Sequence, residues 1–307
     1  MPPAVLDLLS RTSRTFALAI PLLPEPTRTA LAVAYLLFRV ADTLEDAAQW
    51  SRDERVAALR ELIPILRNGD TLRARLASSQ WLAKRVTNDE GYRDLLRAFP
   101  DLLAGLSTFQ PARAAILRQH VARTTEGMAQ TLLLEADAAG QVRLTSLSAL
   151  RSYCYVVAGI VGELVTALFV FDAPGLAAVK PTLVSNERAF GEALQLVNIL
   201  KDERADAGDG RVYLPPDASR KEVIALARAD LSQARAYVQA LTDGGAPPGF
   251  VAFTWLPVEL AERALSAVED RGTGAKVPRE EVLDLLKRVQ STTAGVGSPW
   301  SDRVERA

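Results

Sequence analysis

The stretch "YCYVVAGIVGELVTALFVF", residues 153 to 171, is apolar on every side and interrupted only by Glu163. A segment of that length has two homes, a bilayer or the centre of a large helical domain. Its surroundings favour the second. Apolar residues recur at three- and four-residue spacing over 26–46, 52–68, 71–86, 111–136, 145–171, 183–206, 219–242 and 278–291, with charges between them. Alternating strand patterns closed by Asn-Gly or Asp-Gly turns are nearly absent. Pro26 and Pro181 stand where a first helical turn tolerates proline, and "SRDE" at 51–54 reads as a capping box. The chain therefore reads as all-α, a helical bundle around segment 153–171. No repeat or shift of composition marks a second domain, so residues 1–307 are taken as one.

The 307 residues are 49% apolar and 24% charged, with 36 Lys and Arg against 37 Asp and Glu, a formal net charge of -1. Such a balance gives no global field for nucleic acid, so an anionic ligand must be held by local clusters. Cys154 and His120 are each the sole residue of their type. An intramolecular disulfide, a zinc site built on Cys and His, and a di-iron bundle with two Glu-x-x-His pairs are all excluded. Any metal must be a hard cation bound through oxygen. With neither a signal peptide nor disulfides, the expected setting is cytoplasmic, and no transmembrane anchor is expected.

Two acidic helix faces stand out. In "FRVADTLEDA", Asp42, Glu45 and Asp46 fall within one turn at the end of a strongly apolar helix, with Arg39 a turn earlier. Like charges at this spacing cost helix stability, and taken alone the cluster is a solvated helix end. In "GEALQLVNILKDERADAGDGRVYLP", Gln195, Asn198, Asp202 and Asp206 form an i, i+3, i+7, i+11 stripe of oxygen donors. Leu194, Val197, Ile199 and Leu200 supply the apolar side, and Lys201, Arg204 and Arg211 stand nearby. Two carboxylate-bearing faces with accompanying cations make a site for magnesium ions and a diphosphate between facing helices. No nucleotide-type phosphate loop or dinucleotide fingerprint occurs.

The stretches "SRTFALAIPLLP" (13–24), "YLLFRVADTLED" (35–46), "YCYVVAGIVGEL" (153–164) and "NILKDERADAGDGRVYLP" (198–215) resemble, in order, the motifs of the squalene/phytoene synthase family. The resemblance implies an all-α isoprenoid synthase fold that joins two prenyl diphosphates head to head with magnesium. Position by position, it implies that Asp42, Glu45 and Asp46 are the first metal-binding motif, and Asn198, Asp202 and Asp206 the second. Ala205 stands where squalene synthases often have a further acid. It further implies that Arg39, Lys201 and Arg211 contact diphosphate, that Ser13, Arg14 and Phe16 form a flap beside the pocket, and that Gln195 borders that pocket.

Tyr153 is similar to the family tyrosine that assists proton movement or cation handling, although a tyrosine opening an apolar helix is by itself an ordinary core residue. Ala158, Gly159 and Gly162 suit the close approach of a helix or of a polyprenyl chain. Ionising an allylic diphosphate yields a carbocation that water would capture, so a dry apolar chamber walled by 153–171 is expected. The implied reaction couples two farnesyl diphosphates through presqualene diphosphate to squalene, with hydride from NADPH. The inner Glu45 points to squalene-type chemistry. "VAGIVGEL" also resembles dehydrosqualene and phytoene synthases, which use no reductant, and an enzyme stopping at presqualene diphosphate is a further alternative. Peripheral contact with a membrane for product release goes with this reading.

Overall fold

The computed structural model describes residues 3–12 and 15–292. Helices α1 (Pro3–Thr12), α2 (Thr15–Ala19), α3 (Thr27–Glu45), α4 (Arg52–Asn68), α5 (Thr71–Ala83), α6 (Glu90–Gly105) and α7 (Pro111–Glu135) make up the first half. The second half comprises α8 (Leu147–Cys154), α9 (Ile160–Asp172), α10 (Lys180–Gly208), α11 (Arg220–Asp243), α12 (Pro248–Arg271) and α13 (Arg279–Thr292). Among the described residues there is no strand, only two isolated β-bridges. The expected all-α class is what the structure shows.

Local chemistry sets the helix ends. Ser51 and Glu54 cap α4 reciprocally, as expected from "SRDE", and Ser219 and Glu222 do the same for α11. Asp70, Asp89 and Ser146 each accept a backbone N–H at the starts of α5, α6 and α8. Gly69, at φ 66°, ends α4 in the left-handed conformation that glycine adopts without steric cost. Pro26 is the N-cap of α3, and Pro181 lies in the first turn of α10. Helices α6 and α12 lie outside the periodic segments read from the sequence. Each carries an internal proline, Pro100 and Pro257, as α4 does at Pro64, and none of them ends its helix.

Helix α3 is buried on nearly all sides and packs on α1, α4, α6 and α7, whereas α10 packs on α9, α11 and α12. Between α8 and α9 the backbone widens into one π-helical turn, Tyr155–Gly159, closed by a bond from the Ile160 amide to the Tyr155 carbonyl. Here two glycines allow backbone-to-backbone contact. A Cβ on Gly162 would lie 1.9 Å from the carbonyl oxygen of Glu187, and one on Gly191 would lie 2.0 Å from that of Ala158. The small residues at this point serve helix-to-helix approach.

Leu147–Asp172 is long and apolar enough to cross a membrane by length and composition, and half of its most apolar window is buried. In this structure the segment packs against α7 and α10. Charged groups also pin the second half together. Arg151 holds Asp230 through both carboxylate oxygens at 3.1 and 2.9 Å and reaches the fully buried Glu192 at 3.3 Å, while Arg188 bonds the other oxygen of Glu192. Burial pushes the carboxyls of Glu192 and Asp230 above their ordinary values, and the two arginines pull them back.

Candidate active site

The C-terminal ends of α3 and α10 meet at one rim, and Arg211 joins them. Its guanidinium donates to Asp46 at 2.9 Å, to Asp206 at 3.4 Å and to Asp209 at 3.0 Å. A short bridge explains why Arg211 sits there: Val212 pairs with Arg143, exchanging bonds of 2.8 Å to the Val142 carbonyl and 2.9 Å from the Leu144 amide. On an extended segment, residues two apart share a side, so Arg211 and Tyr213 face the same way. The hydroxyl of Tyr153 donates to that of Tyr213 at 3.2 Å, and their rings stack with centroids 4.8 Å apart.

Asp42 takes a 2.5 Å bond from Arg39, whose other nitrogen donates to the hydroxyl of Tyr92. Arg39 also lies 5.1 Å from the centre of the Tyr92 ring. Buried Arg55 holds the end of α3 in place. It donates to the carbonyls of Glu45 (3.3 Å), Trp50 (3.1 Å), Ala139 (3.3 Å) and Gly140 (2.9 Å), satisfying an orphan helix carbonyl and tying the α7–α8 loop to the acidic end. On α10, Lys201 pairs with neighbouring Asp202 at 2.9 Å, and Asn198 is exposed. No hydrogen bond joins Gln195 or Asn198 to the other site residues among those described. Phe16 packs beside Tyr35 and Phe253, with ring centroids 5.5 and 6.1 Å away. Ser13 and Arg14 lie outside the described residues.

Electrostatics follow from this crowding. Burial, then Asp46 and Asp42, lift the Glu45 carboxyl well above its ordinary range against the pull of Arg211 and Arg55. Burial likewise raises Asp42 and Asp206, opposed by Arg39 and Arg211 respectively. Burial works against the charge on both arginines, yet Asp42 beside Arg39 and Asp46 beside Arg211 hold them above the usual guanidinium value. Tyr153 and Tyr213 are raised chiefly by burial, with Glu45 adding to both. Each arginine nevertheless keeps a buried Nε–H with no acceptor. Such a donor on a half-buried cation can be satisfied by an incoming anion, and Arg113, Arg118 and Arg263 outside the site keep one as well.

Among the described residues no group of three or more His, Cys, Asp or Glu is arranged to hold a metal ion, and arginines engage the carboxylates of both motifs. The donor chemistry still fits magnesium. The side chains are oxygen donors only, and Mg2+ takes one or two carboxylates together with substrate phosphates and water rather than an all-protein cage.

Three contributors were not singled out from the sequence. Tyr213 lay in view, two residues after Arg211. Arg55 sits in a capping sequence with nothing to mark its four carbonyl partners. Tyr92 is 53 residues from Arg39 and carries no local signal.

The described residues form an all-helical bundle in which half-buried Arg211 joins the acidic ends of α3 and α10, with half-buried Arg39 beside Asp42. The squalene/phytoene synthase profile matches residues 9–223, and the chain belongs to that family. It is 31% identical over 217 residues to the squalene synthase of Eremothecium gossypii, covering 69% of this chain and 45% of that protein. Against squalene synthase ERG9 of Candida albicans it is 31% identical over 209 residues, covering 68% and 44%. The chain thus spans under half the length of these two relatives. In fold it is similar to TcSQS in complex with E5700, at a TM-score of 0.71 and 22% identity over 98% of this chain and 93% of that one. It is also similar to squalene synthase HpnC from Alicyclobacillus acidocaldarius, at a TM-score of 0.58 and 19% identity over 87% and 92%.

Proposed function

We propose that the chain is a magnesium-dependent prenyltransferase that joins two farnesyl diphosphates head to head, through presqualene diphosphate, and reduces the product to squalene. The observation that carries this is Arg211, which ties the Asp46 end of α3 to the Asp206 end of α10 and keeps an orphan Nε–H. Asp42, Glu45 and Asp46 on one side, with Asn198, Asp202 and Asp206 on the other, would hold the metal. When bound, magnesium neutralises the diphosphate and so favours its departure.

The protein's own groups do the rest. Arg39, Arg211 and Lys201 receive the diphosphate as charge develops on it. The rings of Phe16, Tyr35 and Phe253, clustered beside α3, present faces that stabilise a carbocation where water is excluded. The Tyr153 hydroxyl, which donates to Tyr213 and lies within the field of Glu45, would hold a proton near the departing diphosphate. In the first half-reaction two farnesyl diphosphates give presqualene diphosphate, one diphosphate and one proton. In the second, presqualene diphosphate and NADPH give squalene, NADP+ and the other diphosphate, the hydride quenching the cation left by ionisation.

The "VAGIVGEL" stretch supports a second reading, in which the second ionisation ends in proton loss to dehydrosqualene, or to phytoene from a longer substrate. Incubation with farnesyl or geranylgeranyl diphosphate and magnesium, with and without NADPH, followed by product identification, separates the two. Squalene formed only with NADPH supports the first reading. An unreduced C30 or C40 product, whatever the NADPH, supports the second.

A further inference from the structure

Helix α5 buries Ala74, Ala77, Ser78 and Trp81 and leaves its opposite face open. On that face Leu72 and Leu76, one turn apart, are 69% and 57% exposed. Arg73, Arg75, Lys84 and Arg85 surround and follow them, all exposed, and residues 71–86 contain no acidic side chain. Arg75, Lys84 and Arg85 form no ion pair among the described residues, and Arg73 reaches only the capping Asp70, at 3.9 Å. In a chain of net charge -1, this is a local concentration of exposed cations around exposed leucines, with Asp70 near Arg73 and Glu54 within the field of Lys84.

A second observation concerns Arg85. It closes α5 in the left-handed conformation, φ 52°, with the Val86 amide donating back to the Trp81 carbonyl. Glycine is the usual residue there because a Cβ is strained at positive φ. A cation therefore stands at a position whose backbone favours its absence. The face also ends beside the site: Trp50, four residues beyond Asp46, donates its indole N–H to the Lys84 carbonyl at 2.9 Å.

We propose that this face of α5 docks on an anionic lipid bilayer, with Leu72 and Leu76 entering the headgroup region and Arg73, Arg75, Lys84 and Arg85 meeting lipid phosphates. Leucines flanked by exposed cations fit a surface that is apolar below and anionic above. A nucleic acid would use the cations and leave the leucines idle. The face would bind lipid whatever reaction the enzyme runs, so its failure leaves the reaction assignment untouched.

The test is co-sedimentation of the full chain with phosphatidylcholine vesicles, with and without phosphatidylglycerol, over a range of salt. Binding should require the anionic lipid and weaken as salt rises. Leu72→Ser with Leu76→Ser, and separately Arg75→Gln with Lys84→Gln, should each weaken binding about tenfold or more. Leu134→Ser, at a residue 69% exposed elsewhere on the surface, should leave binding unchanged. Turnover of farnesyl diphosphate in detergent should be unaffected by either pair of α5 changes. No binding by the unaltered protein to anionic vesicles would overturn the proposal. So would equal binding by the double-serine variant, which would mark a nonspecific attraction to polyanions. A change of oligomeric state in that variant without loss of lipid binding would mark α5 as a contact between copies of the chain.

Discussion

Arg211 bonds Asp46 at 2.9 Å across 165 positions of sequence, and the same guanidinium reaches Asp206 at 3.4 Å. One arginine thus links the two acidic helix ends that a diphosphate would have to visit together. These pairs are partly open to solvent and contribute under about 1 kcal/mol to stability. Arg211→Gln should therefore leave the melting temperature nearly unchanged while lowering kcat/KM about 100-fold or more, through lost contacts to the departing diphosphate. Arg211→Lys should recover only part of that loss, since a point charge cannot replace a planar fork. Steady-state kinetics beside thermal unfolding check both halves.

Glu45 is a site where stability and function conflict. Its carboxyl is buried beside Asp46 and Asp42, and its folded pKa lies well above the ordinary 4.5. An acid raised in the folded state favours folding when protonated. That contribution is full below the unfolded value and is lost as pH rises through the raised one. Glu45→Gln removes the charge altogether, so it should stabilise the metal-free protein at neutral pH by roughly 1 kcal/mol, or about 2–4 °C. The advantage should shrink toward acid pH, while turnover is lost. Melting curves across pH test this, and a variant less stable than wild type at neutral pH would contradict it.

The glycine contact between α9 and α10 is equally exposed to test. A methyl group at Gly162 would overlap the Glu187 carbonyl at 1.9 Å, and backbone atoms cannot rotate aside as a side chain does. Gly162→Ala should cost about 1–3 kcal/mol or more in urea unfolding, despite the better helix propensity of alanine. At Gly105 a Cβ meets nothing within 4 Å, so Gly105→Ala should be neutral to stabilising.

Much of this was legible in advance, and the reason is periodicity. Helices α3, α4, α10 and α11 show amphipathic or apolar patterns opened by a proline (α3, α10) or a capping serine (α4, α11), so their bounds fell within a few positions of the structure. Helices α6 and α12 fell outside the periodic segments; each has an internal proline, Pro100 and Pro257, but α4 was read through Pro64, so a proline alone does not conceal a helix. Asp42 and Asp206 were visible as members of acidic stripes. The pairing of Asp42 with Arg39 is an i, i+3 contact that spacing does show, whereas the bond from Arg211 to Asp46, the loop carbonyls on Arg55 and the stacking of Tyr153 on Tyr213 depend on where distant segments land, and spacing along the chain carries no such information.

The tyrosine pair offers a double-variant experiment. Tyr213→Phe leaves the buried Tyr153 hydroxyl without its acceptor, at a cost of about 1–3 kcal/mol. Adding Tyr153→Phe removes the orphaned group and should restore most of that stability. Turnover should not return with it if the Tyr153 hydroxyl takes part in the reaction. Recovery of both stability and turnover would reduce the pair to packing.

The most direct measurement is diphosphate release from farnesyl diphosphate in the presence of magnesium, by the unaltered protein and by the Asp42→Asn, Asp202→Asn double variant. The account predicts two diphosphates per C30 product from the former. From the variant, still fully helical by circular dichroism, it predicts none above background. Undiminished release by the double variant, or no release from any prenyl diphosphate by the unaltered protein, would contradict it.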